Sequence, residues 1–171
     1  MTTAREILLV PHLFRESNIE SAARAATLLE EAGITVRLLE QQRMDAIETH
    51  PVLSGLKRAA ADADAAAGCE LVLVLGGDGT FLRAAGYARA QDIPVLGINL
   101  GHVGFLAEGE AESLEQSVRQ VVDKTYRVVD RMTVDVTVTD QAGEVVGRSW
   151  ALNECSVENM ERSRVLDATL E

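Results

Sequence analysis

Cysteine is scarce. The 171 residues hold two, Cys69 and Cys155, far apart and with no Cys-x-x-Cys or Cys/His cluster around either. That argues against a structural zinc site and predicts a protein of a reducing cytoplasm. Long apolar runs are missing too. None approaches the ~20 residues that a bilayer-spanning helix needs. The first such run, Ile7-Leu8-Leu9-Val10, is too short for a secretion signal and reads as a strand. Positive charge is in deficit, with 16 Lys and Arg against 27 Asp and Glu, a net −11. The expectation is no nucleic-acid partner and no membrane partner, because both polyanionic surfaces select basic footprints. A small anionic substrate stays compatible with −11 where local Arg, backbone N–H groups or a metal cation offset the global field. Aromatic residues are only 4%, and they and Met132 and Met160 read as packing. No internal repeat or low-complexity linker interrupts the chain.

What is present is ordinary globular material, 47% hydrophobic and 25% charged. A chain of this length buries roughly 70% of its unfolded surface and needs no staple. The periodicity predicts strands at Ile7–Val10, Ile34–Leu39, Leu71–Leu75 and Ile93–Ile98, mostly continuous apolar runs of the kind buried on both faces. Between them it predicts helices. One opens at the capping box Ser17-Asn-Ile-Glu20, buries Ile19, Ala22, Ala23, Ala26 and Leu29, and ends at Gly33. A second, from Ala content, spans Pro51–Ala67 before Gly68. A third runs Thr80–Ala90 with Phe81, Leu82, Ala85 and Ala88 inward. A fourth opens at a second box, Ser113-Leu-Glu-Gln116, with Leu114, Val118, Val121 and Val122 on one side.

Strand alternating with helix to residue 126 predicts a Rossmann-like α/β domain, an open, mostly parallel sheet that binds ligands at the carboxyl ends of its strands. After Tyr126 the pattern changes. Thr133–Thr139 alternates with period two, Asp140–Gly143 is a turn, and Glu144–Leu152 returns as a strand, which makes a hairpin. Val165–Leu170 reads as the start of another strand. The expectation is therefore an α/β domain over 1–126, and over 127–171 the opening of a β-rich second domain that reads as truncated.

Three stretches carry chemistry. Gly76-Gly77-Asp78-Gly79-Thr80 sits between the most apolar strand and a helix N-terminus. Its glycines allow close backbone approach, and the helix end favours phosphate. It is neither a Walker A loop nor Gly-x-Gly-x-x-Gly. A carboxylate repels phosphate, so Asp78 makes sense facing a hydroxyl as a general base, or a metal ion. The plainer reading is a tight turn with Asp78 as an Asx cap. The second stretch is Gly97-Ile-Asn-Leu-Gly101-His-Val-Gly104-Phe105-Leu106, where Phe105 is either a ring-stacking residue or core. The third is Asn153-Glu154, whose amide and carboxylate suit ribose hydroxyls. Arg83, Arg162 and Arg164 lie near these stretches; by themselves they read as surface charge. His102 reads as an exposed loop residue, and His12 and His50 show no partner pattern.

Taken together, Gly-Gly-Asp-Gly-Thr at 76–80, the run Val95–Leu106 and Ala151-Leu-Asn-Glu154 resemble the NAD kinase family in its bacterial, actinobacterial-looking form. The resemblance covers nearly the whole chain. It implies phosphorylation of NAD on the 2′-hydroxyl of its adenosine ribose to give NADP. The implied donor is ATP with a divalent metal ion, magnesium, or inorganic polyphosphate in some members, and the whole protein is implied to be a homo-oligomer. By motif, Asp78 resembles the proton acceptor. Asp78, Gly79, Arg83, Phe105, Asn153, Glu154 and Arg164 resemble NAD contacts, Gly76, Gly77, Gly79 and Thr80 resemble a phosphate loop, and no protein metal ligand is implied. The first strand departs from the family by ending Val-Pro-His-Leu-Phe-Arg15, which leaves Arg15 without a role carried over. The family's C-terminal β-rich domain, which completes the NAD site, has no counterpart in these residues, so the chain is expected to be inactive alone. Two alternatives stay open: a lipid or sugar kinase sharing the Gly-Gly-Asp-Gly-Thr loop, and a non-catalytic nucleotide-binding fragment.

Overall fold

The structure, a computed structural model, describes residues 4–40, 45–99, 114–152, 154–158 and 169. It divides into two units, Met1–Val128 and Val129–Glu171. The first is built on five parallel strands: β1 Glu6–Pro11, β2 Thr35–Leu39, β3 Lys57–Ala59, β4 Leu71–Leu75 and β5 Val95–Ile98. Among the described residues four helices accompany them: α1 Glu16–Glu31, the single turn α2 Asp45–Glu48, α3 Asp78–Arg89 and α4 Leu114–Asp123. Strand order is β3-β2-β1-β4-β5. The winding therefore reverses between β1 and β4, and loops leaving those two strands splay apart to leave a crevice.

Alternation along the central strands sorts the core into two layers. Ile7 and Leu9 of β1 join Leu71, Leu73 and Leu75 of β4 beneath the apolar faces of α1 and α4. Leu8, Val10, Val72 and Val74 point the other way, against Ala84 and Ala88 of α3. All nine residues of the runs Ile7–Val10 and Leu71–Leu75, and Leu39 of β2, are fully or almost fully buried. At the amino end of the sheet, Arg5 ties layers together: its guanidinium pairs with Glu70 and donates to the carbonyls of Val121 (2.6 Å) and Val122 (2.8 Å) at the end of α4. Arg24 of α1 pairs with Glu115 of α4 at 2.7 Å.

Three local expectations are corrected. Pro51–Ala67 is not a helix. It holds a 3-10 turn at Leu53–Gly55, then β3, then turns. Pairing of Leu38 with Arg58 and Leu39 with Ala59, and burial of Leu53, Leu56, Ala65 and Ala66, override the helix propensity of alanine. Helix α1 is not opened by a capping box: its N-cap is Arg15, with no side-chain cap, and Ser17 lies inside the first turn. Helix α3 begins at Asp78, and its buried stripe is Thr80, Ala84, Ala85 and Ala88, so Leu82 is left 42% exposed. Gly33 does end α1, with φ +75.

The second unit contains the antiparallel hairpin β6 Val134–Thr139 and β7 Val145–Ala151, closed through the Asp140–Gly143 turn, where Asp140 Oδ1 accepts from the N–H groups of Ala142 and Glu144. The strand expected over Val165–Leu170 and the capping residue Ser113 lie outside the described residues.

Candidate functional site

An open pocket of about 380 Å³ lies at the carboxyl ends of β1 and β4, where the strand order reverses. One wall is His12, Leu13 and Phe14, which follow β1. The other is Gly77, Asp78, Gly79, Thr80 and Arg83, which follow β4 and start α3. The loop stretch with the densest glycines thus does meet a cleft.

The two walls are fitted to each other at Gly76. A Cβ placed there would stand 2.9 Å from His12 Cβ and 3.0 Å from Thr80 Oγ1, closer than real Cβ atoms pack, so only glycine fits. The His12 N–H donates to Leu75 O at 2.8 Å and the Gly76 N–H to Ile98 O at 3.0 Å, which extends the sheet pairing into the loops. Gly77 and Gly79 differ from Gly76. A Cβ at either would meet nothing within 4 Å, and both are exposed. Their missing side chains leave space in the cleft instead of relieving contact inside the protein.

Gly77 is the N-cap of α3, and its carbonyl accepts from the N–H groups of Thr80 (3.0 Å) and Phe81 (3.1 Å). Asp78 is therefore the first residue of the helix and not its cap. Half-buried, it faces the pocket, with the positive end of the helix dipole behind it. Arg83, exposed and one turn later, adds a full positive charge to the same wall.

Behind the opposite wall, Asn18 of α1 is buried and holds His12 twice. Its Nδ2 donates to His12 O at 2.9 Å and lies 3.3 Å from His12 Nδ1. A carbonyl oxygen only accepts, so that end of the Asn18 amide is its NH2. His12 Nδ1 then faces a donor and must accept, which puts the proton of the neutral ring on Nε2. Leu13 is buried in the core between the flanking His12 and Phe14, and the His12 and Phe14 rings pack with centroids 5.1 Å apart, tilted 40°.

The structure brings Gly76, Gly77, Asp78, Gly79, Thr80 and Arg83 together. Glu154 is exposed beyond β7 in the second unit. Phe105, Asn153 and Arg164 lie outside the described residues. Sequence reasoning passed over His12, Phe14 and Asn18. No spacing rule points to them, because the contact of His12 with Gly76 exists only through the pairing of β1 with β4. Among the described residues no group of three or more His, Cys, Asp or Glu side chains is gathered for a metal, and no helix is long and apolar enough to cross a membrane.

Comparison with known proteins shows what the chain is similar to. The family described as the ATP-NAD kinase N-terminal domain matches residues 7–126. The chain is 64% identical over 170 residues to the NAD kinase of Corynebacterium efficiens, covering 99% of this chain and 54% of that protein. It is 55% identical over 167 residues to that of Corynebacterium diphtheriae (98% and 53%) and 51% identical over 176 residues to that of Nocardia farcinica (98% and 54%). The chain thus spans about half the length of the curated relatives it matches. The crystal structure of yeast NADH kinase complexed with NADH superposes with a TM-score of 0.67 at 17% identity, over 90% of this chain and 45% of that one, a likeness of fold.

Proposed function

The chain belongs to the NAD kinase family, and from that premise we propose that it carries the reacting loop of an enzyme that phosphorylates NAD on the 2′-hydroxyl of its adenosine ribose. The observation that carries this reading is the placement of Asp78. It lies on the wall of a glycine-lined cleft at the strand-order reversal, at the first residue of a helix that Gly77 caps. An acid that is not the cap, in a pocket whose helix end suits phosphate, has a chemical use as a base.

The reaction follows from that arrangement. The Asp78 carboxylate accepts the proton of the 2′-hydroxyl as its oxygen attacks the terminal phosphorus of the donor. The bond from that phosphorus to the bridging oxygen breaks, and ADP leaves when the donor is ATP. First-turn N–H groups of α3 and the Arg83 guanidinium offset charge on the transferred phosphoryl group. Catalysis is then mainly positioning and electrostatics, as this reaction class requires. Inorganic polyphosphate, which carries the same kind of terminal phosphoryl group, is the second donor in this reading.

A divalent cation, magnesium, fits this pocket as a companion of the donor's phosphates. Asp78, the one carboxylate among the residues lining the pocket, is given to the proton in this reading, so donor phosphate oxygens and water would hold the magnesium. When bound it would neutralise phosphate charge. Gly79, Arg83, Phe105, Asn153, Glu154 and Arg164 complete the NAD contacts in this reading, with 127–171 as part of a β-rich NAD-binding domain. The whole protein is a cytoplasmic homo-oligomer.

The test is formation of NADP by the intact protein supplied with NAD, ATP and magnesium, with diacylglycerol and fructose 6-phosphate as competing acceptors. Phosphate appearing on NAD alone supports the reading. Transfer to either other acceptor, or NAD binding without turnover, overturns it in favour of a lipid or sugar kinase or a binding module.

A further inference from the structure

Phe14 is 65% exposed, although its neighbour Leu13 is in the core. Its ring therefore lies at the pocket and not in the interior. Its ring packs on His12 with centroids 5.1 Å apart, and both rings belong to the wall of the pocket that Asp78, Gly79 and Arg83 face from the other side. The pair is held in place. Asn18 fixes the His12 carbonyl and Nδ1, Leu75 accepts from the His12 N–H, and Leu13 anchors the backbone between the two rings. Contact between Gly76 and His12 sets the distance from the rings to the Gly-Gly-Asp-Gly loop.

We propose that the His12–Phe14 ring pair is the platform on which the purine base of the nucleoside triphosphate donor stacks. This rests on the phosphotransfer reading above. There the β4–α3 wall is given to phosphate and to the acceptor hydroxyl, whereas the β1 wall has no task. An aromatic face suits any heterocyclic base, and a fixed one binds without first being ordered. The His12 Nε2–H, the nitrogen not used by Asn18, adds one donor for a ring nitrogen or phosphate oxygen. The same rings offer nothing to a donor that has no base.

That difference makes the test. Calorimetric affinities of the intact protein are compared for ATP, ribose 5-triphosphate and inorganic tripolyphosphate, with the wild type, Phe14→Ala and Phe14→Trp, and the steady-state KM for ATP and for NAD is measured beside them. Stacking on one aromatic ring predicts about a tenfold loss of ATP affinity in Phe14→Ala. Ribose 5-triphosphate, tripolyphosphate and NAD are bound as before, and Phe14→Trp restores ATP. Unchanged ATP affinity in Phe14→Ala overturns the proposal. So does an equal loss for ATP and ribose 5-triphosphate, or a loss seen for NAD instead. Because affinity for ATP is read directly, an enzyme that fails to phosphorylate NAD contradicts the kinase reading and leaves the platform to stand or fall on the ratio.

Discussion

Gly76 and His12 touch across the sheet: a methyl group on Gly76 would stand 2.9 Å from His12 Cβ. The contact joins the end of β4 to the end of β1, and it separates the three glycines of the loop into two kinds. Gly76 is required by the protein's own packing, while Gly77 and Gly79 open onto space.

That division predicts opposite outcomes for one substitution. Gly76→Ala forces His12 and Thr80 apart and lowers stability by about 1–3 kcal/mol, the usual cost of overpacking. Gly79→Ala meets nothing and gains helix propensity in the first turn of α3, so its melting temperature holds or rises. Its turnover still falls, because the added methyl occupies the cleft. Thermal melts and rates of the two variants check both halves. A Gly79→Ala protein with full activity would show that no ligand approaches there.

Asn18→Ala removes both bonds to His12 from a buried position. The expected loss is about 1–2 kcal/mol, with a larger KM for ATP than the wild type because the β1 wall loosens. Asn18→Ala that melts with the wild type and keeps its KM would mean that the loop after β1 holds itself.

The Glu70 carboxyl is held below its ordinary range, chiefly by its hydrogen bonds with Arg5; burial opposes this as the next largest effect, and the charges of Arg5 and Lys124 lower it further. A carboxylate whose folded value is depressed contributes stability above its unfolded pKa and loses it as pH falls through the folded value. Glu70→Gln should therefore melt below the wild type at neutral pH, by about 1 kcal/mol for a pair that is largely but not fully shielded. The gap closes in acid below the ordinary carboxylate range. A gap independent of pH would place the effect in packing and not in charge.

How much of this could be read from the sequence depends on how local each cause is. Strands β1 and β4 were legible because both faces are buried and the runs Ile7–Val10 and Leu71–Leu75 carry no polar residue. The hairpin β6–β7 was legible from strict alternation around Asp140–Gly143. Residues 51–67 were not. Their alanines favour helix locally, and it takes pairing with β2, a partner distant in sequence, to make Lys57–Ala59 a strand. The candidate site divides in the same way. Gly76–Thr80 announces itself by glycine density beside a strand. His12 and Asn18 acquire meaning only when β1 lies against β4 and α1 folds back over the loop.

The central claim is that Asp78 accepts the proton of the attacking hydroxyl. Asp78→Asn keeps the shape of the side chain and removes its basicity. In the intact protein with NAD and ATP it should lower kcat by about 10²–10⁴-fold, with the dissociation constant for NAD little changed. A turnover number equal to that of the wild type would contradict the account.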